Sequence, residues 1–280
     1  MRSDALMGKD MKMNYQFGFI GCGNMGGALA LAVSKNVNGA EIALCDSDEQ
    51  KASALASKIG ATVLPLDELV KHAQYIFLGV KPQGFAGLFD AICPILADRE
   101  KKPVLISMAA GISISAVVQM SRESLPIIRI MPNMPATVGE GMILYTTNHL
   151  VSDHALEVFL KAMSFAGRLD AIDEANIDAA SALSGCGPAF VYLFAEALAD
   201  GAVECGLARD KANLYAAQTL YGAAKMLLES GKHPGELKDA VCSPGGTTIA
   251  GVHALEESAF RAATMNAVTA AYEKTLALKK

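Results

Sequence analysis

Two glycine-rich segments hold most of the residues able to do chemistry: Gly21-Cys22-Gly23-Asn24-Met25-Gly26 and Ser243-Pro244-Gly245-Gly246-Thr247-Thr248. The first follows the apolar run Phe17-Gly18-Phe19-Ile20 and opens a helix-like stretch toward Ser34. In that setting Gly21 permits a tight turn, Gly23 lets backbone approach a pyrophosphate, and Gly26 lets helix and strand pack closely. The helix N-terminus then offers amide donors and a positive dipole to phosphates. G-x-G-x-x-G on its own also fits many purely structural turns. The strand before it, the helix after it and a second strand ending in Asp46 support a dinucleotide-binding reading, with Cys22, Asn24 and Met25 lining the turn.

An acid at the end of that second strand accepts hydrogen bonds from an adenosine ribose 2′-hydroxyl and repels a 2′-phosphate. Ser47, Asp48 and Glu49 follow Asp46, and the nearest bases are Lys51 and Lys58, so local electrostatics favour NADH over NADPH. The competing reading is that Asp46 or Ser47 only caps the next helix. Val80-Lys81-Pro82, Ala109-Ala110-Gly111 and Met131-Pro132-Asn133 follow later strands in the same sense and outline a trough at their carboxyl ends. Lys81 reads equally as a ribose ligand or a surface lysine. Asn133, presented rigidly between Pro132 and Pro135, is the better cofactor candidate.

The second segment lies between helical stretches Gly235–Ala240 and Ile249–Glu257. Threonines directly after Gly-Gly at a helix start gather side-chain and backbone donors around one point, which suits a small carboxylate. The alternative is a loop whose glycines only solve a turn and whose Thr247 or Thr248 only caps a helix. Ser184-Gly185-Cys186-Gly187-Pro188 places proline in the first turn of a long helix and reads as architecture. His72, His149, His154, His233 and His253 are dispersed, and no Ser/His/Asp or Cys/His grouping follows from spacing. Hydride transfer to an imine that already carries a proton needs orientation and a cofactor more than a strong acid.

The elements that must position these residues fall into two classes. Short apolar strands at Phe17–Gly21, Glu41–Cys45, Tyr75–Val80, Val104–Met108, Ile127–Met131 and Met142–Thr146 alternate with helix-like stretches, the pattern of βαβ units. Continuous runs such as Tyr75-Ile76-Phe77-Leu78 suit strands covered on both faces. The expected fold is therefore α/β, a doubly wound, Rossmann-like, mostly parallel sheet over residues 15–169. After about Ile172 long Ala/Leu/Met-rich stretches at Pro188–Leu207, Arg209–Ser230 and Ala259–Leu278 predict an all-helical domain over 170–280. In the first of them Glu196, Asp200 and Glu204 share one face, and pairing with nearby bases explains them better than catalysis does. Residues 1–14 are charged and read as a frayed extension.

Composition narrows the function classes. Hydrophobic residues make up 52% of the 280 and charged residues 19%, too little polar surface for a monomer, so a buried subunit interface is expected. A net charge of -5 with scattered bases argues against nucleic acid. Apolar runs look short and interrupted, none near the roughly 20 residues that span a bilayer, so no membrane partner is expected. The six cysteines are far apart, with no C-x-x-C pair and no metal-ligand spacing, as in a reduced cytoplasmic protein without a metal site.

From Phe17 to about Leu278 the chain resembles the pyrroline-5-carboxylate reductase family. The most specific piece is Gly235-Glu236-Leu237-Lys238-Asp239 followed by Cys242-Ser243-Pro244-Gly245-Gly246-Thr247-Thr248. Phe19–Gly26, Val80-Lys81-Pro82, Met131-Pro132-Asn133 and Leu183–Ala189 are similar too. The resemblance implies reduction of 1-pyrroline-5-carboxylate to L-proline by NADPH or NADH, in a homodimer through the C-terminal helices, often within a decamer. Carried over, Ser243, Gly245, Gly246, Thr247 and Thr248 bind the substrate, with Ser243 and Thr248 at the reacting ring, and Ser181 has a minor polar role. Asp46 departs from the family's usual 2′-phosphate readers and from its NADPH habit.

Two rival readings fit the chain less well overall. A β-hydroxyacid dehydrogenase has a similar first motif but a helical lysine followed four residues later by asparagine, and here Lys225 precedes Glu229. A non-catalytic dinucleotide-binding regulator would need no Ser243–Thr248 loop.

Overall fold

A computed structural model of the chain describes residues 15–277; the predicted 1–14 extension and Leu278 lie outside them. The described chain divides into two compact units, with the division between Gly185 and Cys186. In the first unit the elements are β1 (Tyr15–Ile20), α1 (Asn24–Val33), β2 (Ile42–Cys45), α2 (Glu49–Ile59), β3 (Thr62–Val63), α3 (Leu66–His72) and β4 (Ala73–Leu78). They continue with α4 (Phe85–Asp98), β5 (Val104–Ser107), α5 (Ile114–Ser121), β6 (Ile127–Met131), β7 (Gly141–Thr147), α6 (Asp153–Met163), β8 (Gly167–Ala171) and α7 (Ile177–Ser184).

The strands form one sheet in the order β3-β2-β1-β4-β5-β6-β7-β8. Every pairing is parallel except β6 with β7, whose register sets Arg129 opposite Thr146. β3 and β8 were not predicted. β3 is two residues long, and β8 reads Gly-Arg-Leu-Asp-Ala, too polar to stand out as a strand.

Both faces of the sheet are covered, as the continuous apolar runs require. On one face Phe17, Phe19, Phe77, Ile106 and Ile128 pack against α1, α2 and α6. Phe19 and Phe77 stack at 4.3 Å between ring centroids. On the other face Ile76, Leu78, Leu105 and Ile127 pack against α3, α4 and α5. Each fully buried Phe contributes about 1.5–3 kcal/mol relative to exposure.

The first unit extends past the boundary that composition placed near Leu169. Ile177 of α7 packs with Met131 and Leu144, and Glu174 and Asp178 pair with Arg129. Packing and ion pairs hold α7 to the sheet, whereas the change in composition marks only where helices begin.

The second unit contains α8 (Gly187–Glu204), α9 (Arg209–Ser230), α10 (Pro234–Ala240), α11 (Thr247–Glu257) and α12 (Phe260–Ala277) as far as Lys274, the end of α12 from Thr275 grouping with the first unit. Pro188 sits in the first turn of α8, as the spacing predicted. The buried apolar cluster of this unit is only Ala199, Ala212 and Ala216. Leu193, Leu228 and Met265 are 69%, 73% and 70% exposed. One correction concerns apolar length: among the described residues the helical stretch Glu174–Glu204 is long and apolar enough to cross a membrane, against the expectation that none is. Gly185 and Cys186 keep right-handed helical dihedrals, so the glycine and proline of this segment do not interrupt the run.

Candidate active site

In the first unit β1, β2, β4, β5 and β6 run parallel, so the segments singled out after them share one edge of the sheet. The strand order reverses between β1 and β4, where ligand crevices form in such sheets. Gly21 donates its amide to Cys45 O at 2.7 Å, and Gly79 donates to Ile20 O at 2.7 Å. Gly21 has φ +98°, and a Cβ there would lie 2.7 Å from Gly79 O. A Cβ on Gly26 would lie 2.0 Å from Gly21 O. Gly23 differs: a Cβ there meets nothing within 4 Å. Gly23 is also the N-cap of α1 and supplies no side-chain acceptor, which leaves the first-turn amides of α1 open to an anion.

Asp46 turns toward this loop. Cys22 N donates to Asp46 Oδ2 at 2.5 Å, and Asp48 N donates to Asp46 Oδ1 at 2.8 Å. The cap of α2 is Asp48, which accepts from the amides of Gln50 and Lys51. The capping alternative for Asp46 or Ser47 is thereby removed. Burial, followed by the charge of Asp46 and the neighbouring Cys45, pushes the Cys22 thiol up to about 12. Burial and then Asp46 raise Cys45 as well. Neither thiol is an activated nucleophile.

Elsewhere on this edge Val80 is half-buried and Lys81 and Pro82 are exposed. Ala109 is buried, Ala110 is exposed, and Gly111 has φ +76° in a turn closed by Ile112 N donating to Ala109 O at 3.4 Å. Asn133, 8% exposed, is committed to the protein at both ends of its amide. Its Oδ1 accepts from Met142 N at 2.9 Å and its Nδ2 donates to Ser184 O at 2.8 Å. Those bonds tie the end of β6 to β7 and α7, a structural role that the flanking prolines did not reveal.

Sequence reading passed over Arg129. It is 2% exposed, and donates from Nη1 to Glu174 Oε1 at 2.9 Å and from Nη2 to Asp178 Oδ1 at 3.4 Å. The signal was present: one arginine inside Ile127-Ile128-Arg129-Ile130-Met131 is a charge in a doubly covered strand, which demands carboxylate partners.

In the second unit Ser243-Pro244-Gly245-Gly246 forms a turn closed by Gly246 N donating to Ser243 O at 3.0 Å. Proline second and glycine third, with Gly245 at φ +68°, is the type II pattern. Gly246 then caps α11 without a side-chain acceptor, and Thr247 and Thr248 open the helix. A Cβ on Gly246 would sit 2.3 Å from Ser243 Oγ, so glycine allows that hydroxyl to lie over the start of α11. The Ser243 hydroxyl and the uncapped first-turn amides of α11 thus lie at one helix N-terminus, with Thr247 and Thr248 as the first two residues of that helix.

The remaining candidates have ordinary partners. Asp200 of the acidic stripe pairs with Arg209 at 2.5 Å. Lys225 is exposed and lies 3.6 Å from Glu229. His233 caps α10, and His253 lies 3.3 Å from Glu257 on the surface. Ser181 O accepts the Gly185 amide at 2.7 Å. Among the described residues no group of three or more His, Cys, Asp or Glu could hold a metal ion.

An uncapped glycine turn at the switch point of a doubly wound sheet, joined to a helical unit bearing a second anion-ready turn, defines a nicotinamide-dinucleotide oxidoreductase. Comparison with known proteins gives the family. Residues 174–278 match the family model for pyrroline-5-carboxylate reductase dimerisation, and residues 16–111 match that for NADP oxidoreductase, coenzyme F420-dependent. The chain is 39% identical over 271 residues to the pyrroline-5-carboxylate reductase of Escherichia coli, covering 96% of this chain and all of that one. It is 39% identical to the enzyme of Pisum sativum, covering 94% and 95%. The crystal structure of Plasmodium falciparum pyrroline carboxylate reductase with NADP bound superposes with a TM-score of 0.85 at 32% identity, covering 96% and 99%. The chain belongs to the pyrroline-5-carboxylate reductase family.

Proposed function

We propose that the chain reduces 1-pyrroline-5-carboxylate to L-proline, the last step of proline biosynthesis, with hydride from NADH or NADPH. The observation that carries this reading is the Ser243–Thr248 turn at the uncapped start of α11, in a chain colinear with named reductases over nearly its whole length. Hydride adds to the carbon of the protonated C=N bond, and the π electrons become the nitrogen lone pair. The secondary amine then takes a proton from water; the dinucleotide, when bound, would supply the hydride. Ser243, Gly245, Gly246, Thr247 and Thr248 hold the carboxylate and ring nitrogen. Gly21–Met25, Val80–Pro82 and Ala109–Gly111 cradle the dinucleotide.

Asp46 favours NADH, because its carboxylate stands at the glycine turn where a 2′-phosphate would add negative charge. The second unit pairs with that of a second copy, and a decamer is a further assembly of such dimers. The dimerisation match and the exposed Leu193, Leu228 and Met265 support this pairing, which would also cover the apolar length of Glu174–Glu204. A cytoplasmic location is consistent with six free cysteines.

The test is loss of reduced-nicotinamide absorbance on adding 1-pyrroline-5-carboxylate, run with NADH and NADPH at matched concentrations. Turnover with either supports the reading. Folded protein that binds a dinucleotide but turns over with neither is a regulator instead.

A further inference from the structure

Glu174 lies between a buried cation and the turn that follows β5. Its Oε1 accepts from Arg129 Nη1 at 2.9 Å and from Ile114 N at 2.7 Å. Ile114 is the first residue of α5 and is 60 residues from Glu174 in sequence. Ser113 already caps α5 by accepting from Ala116 N at 3.1 Å, so Glu174 supplies a second cap from a distant part of the chain. The segment held in this way is Met108–Ser113, which contains Ala109-Ala110-Gly111. Its other anchors are the buried Ala109 and the turn closed at Ile112.

Arg129 gives the carboxylate its place. It is 2% exposed on a central strand, and its two terminal nitrogens are spent on Glu174 and Asp178. A guanidinium buried to this extent is costly to leave unpaired, and with Nε unpartnered its compensation comes through Nη1 and Nη2, which tie Glu174 and Asp178 to the strand. Its register partner on β5 is Ser107, the last residue before the turn. The buried charge, the carboxylate and the turn therefore form one continuous path within the first unit.

We propose that Arg129 and Glu174 are positioning residues that hold the Ala109–Gly111 turn in its dinucleotide-binding conformation. The inference rests on the reading above that this turn contacts the cofactor. Neither side chain needs to touch the dinucleotide. Arg129 orients Glu174, and Glu174 pins the start of α5, so the exposed Ala110 and the left-handed Gly111 are presented before the cofactor arrives.

The experiment compares Glu174→Ala, Glu174→Gln and the unaltered enzyme in NADPH and NADH titrations, steady-state kinetics, and amide hydrogen exchange over residues 108–114. A charge-assisted hydrogen bond is at stake, so Glu174→Ala should raise the dinucleotide Kd about ten-fold and speed exchange at Ile114. The kcat at saturating dinucleotide and the KM for the imine should stay within about two-fold. Glu174→Gln still offers an oxygen to both donors and should recover most of the affinity. An unchanged Kd in a folded Glu174→Ala variant overturns the relay, as does Glu174→Gln failing as badly as Glu174→Ala. If NADPH and NADH both leave exchange over 108–113 of the unaltered enzyme unchanged, the turn is not a cofactor contact. The proposal then falls with that reading rather than with the relay.

Discussion

Cys22 and Asp46, 24 residues apart in the chain, are joined by a hydrogen bond in which the Cys22 amide donates to Asp46 Oδ2 at 2.5 Å. The bond ties the carboxyl end of β2 to the glycine turn after β1. One carboxylate thereby braces the glycine turn and, on the proposed cofactor reading, would set the charge met by the adenosine ribose. Asp46→Ser together with Ser47→Arg should shift the ratio of kcat/KM toward NADPH by about ten-fold or more, since a like charge is replaced by a guanidinium. Both cofactors should bind the variant less tightly through loss of the Cys22 contact, so the ratio is the measurement that decides. A ratio that does not move would make Asp46 only a brace for the loop.

Gly23 and Gly26 should respond differently to the same substitution. A methyl on Gly26 would lie 2.0 Å from the Gly21 carbonyl oxygen, so Gly26→Ala should cost about 1–3 kcal/mol of stability or more. A methyl on Gly23 meets nothing within 4 Å, so Gly23→Ala should leave the denaturation midpoint nearly unchanged while raising the dinucleotide Kd. Titration and unfolding of both variants test the split. Unaltered affinity in Gly23→Ala would mean that the pyrophosphate does not approach there.

The Cys22 thiol is raised from 9.0 to about 12, which has a consequence for stability at high pH. The folded chain keeps this proton where an unfolded chain loses it. The associated stability is complete below about pH 9 and is lost as pH rises toward about 12. The denaturant midpoint should therefore fall more steeply above pH 9 in the unaltered protein than in Cys22→Ala. Parallel curves would refute the assignment.

Ala259, between α11 and α12, has φ +55°. A side chain in that region is strained, and glycine is the residue that relieves it. Ala259→Gly should stabilise the protein by about 1 kcal/mol, measured as a midpoint shift at fixed protein concentration because the second unit is expected to dimerise. A lower midpoint would show that the gain in unfolded-chain entropy wins.

Thr248→Ala should raise the KM for 1-pyrroline-5-carboxylate about five-fold, the loss of one donor worth about 1 kcal/mol. An unchanged KM would take Thr248 out of the substrate site.

The sequence by itself determined the apolar strands β1, β2, β4, β5, β6 and β7 and the positions of both glycine turns, but not the short β3 or the polar β8. Apolar runs such as Tyr75–Leu78 have no polar face, so they must be covered on both sides. Gly-x-Gly-x-x-Gly and Ser-Pro-Gly-Gly-Thr-Thr are local solutions to backbone geometry, legible because their constraints act within a few residues. Only the tertiary structure decided how distant polar groups are satisfied. That Asp46 serves the Cys22 amide while Asp48 caps α2, that Asn133 is committed to Met142 and Ser184, and that Arg129 draws Glu174 and Asp178 to the sheet are choices among many possible partners. A hydrogen bond needs its partner within about 3 Å, and sequence separation does not fix that distance. The boundary moved from near Leu169 to Gly185 for the same reason: ion pairs and the packing of Ile177, rather than composition, hold α7 in the first unit.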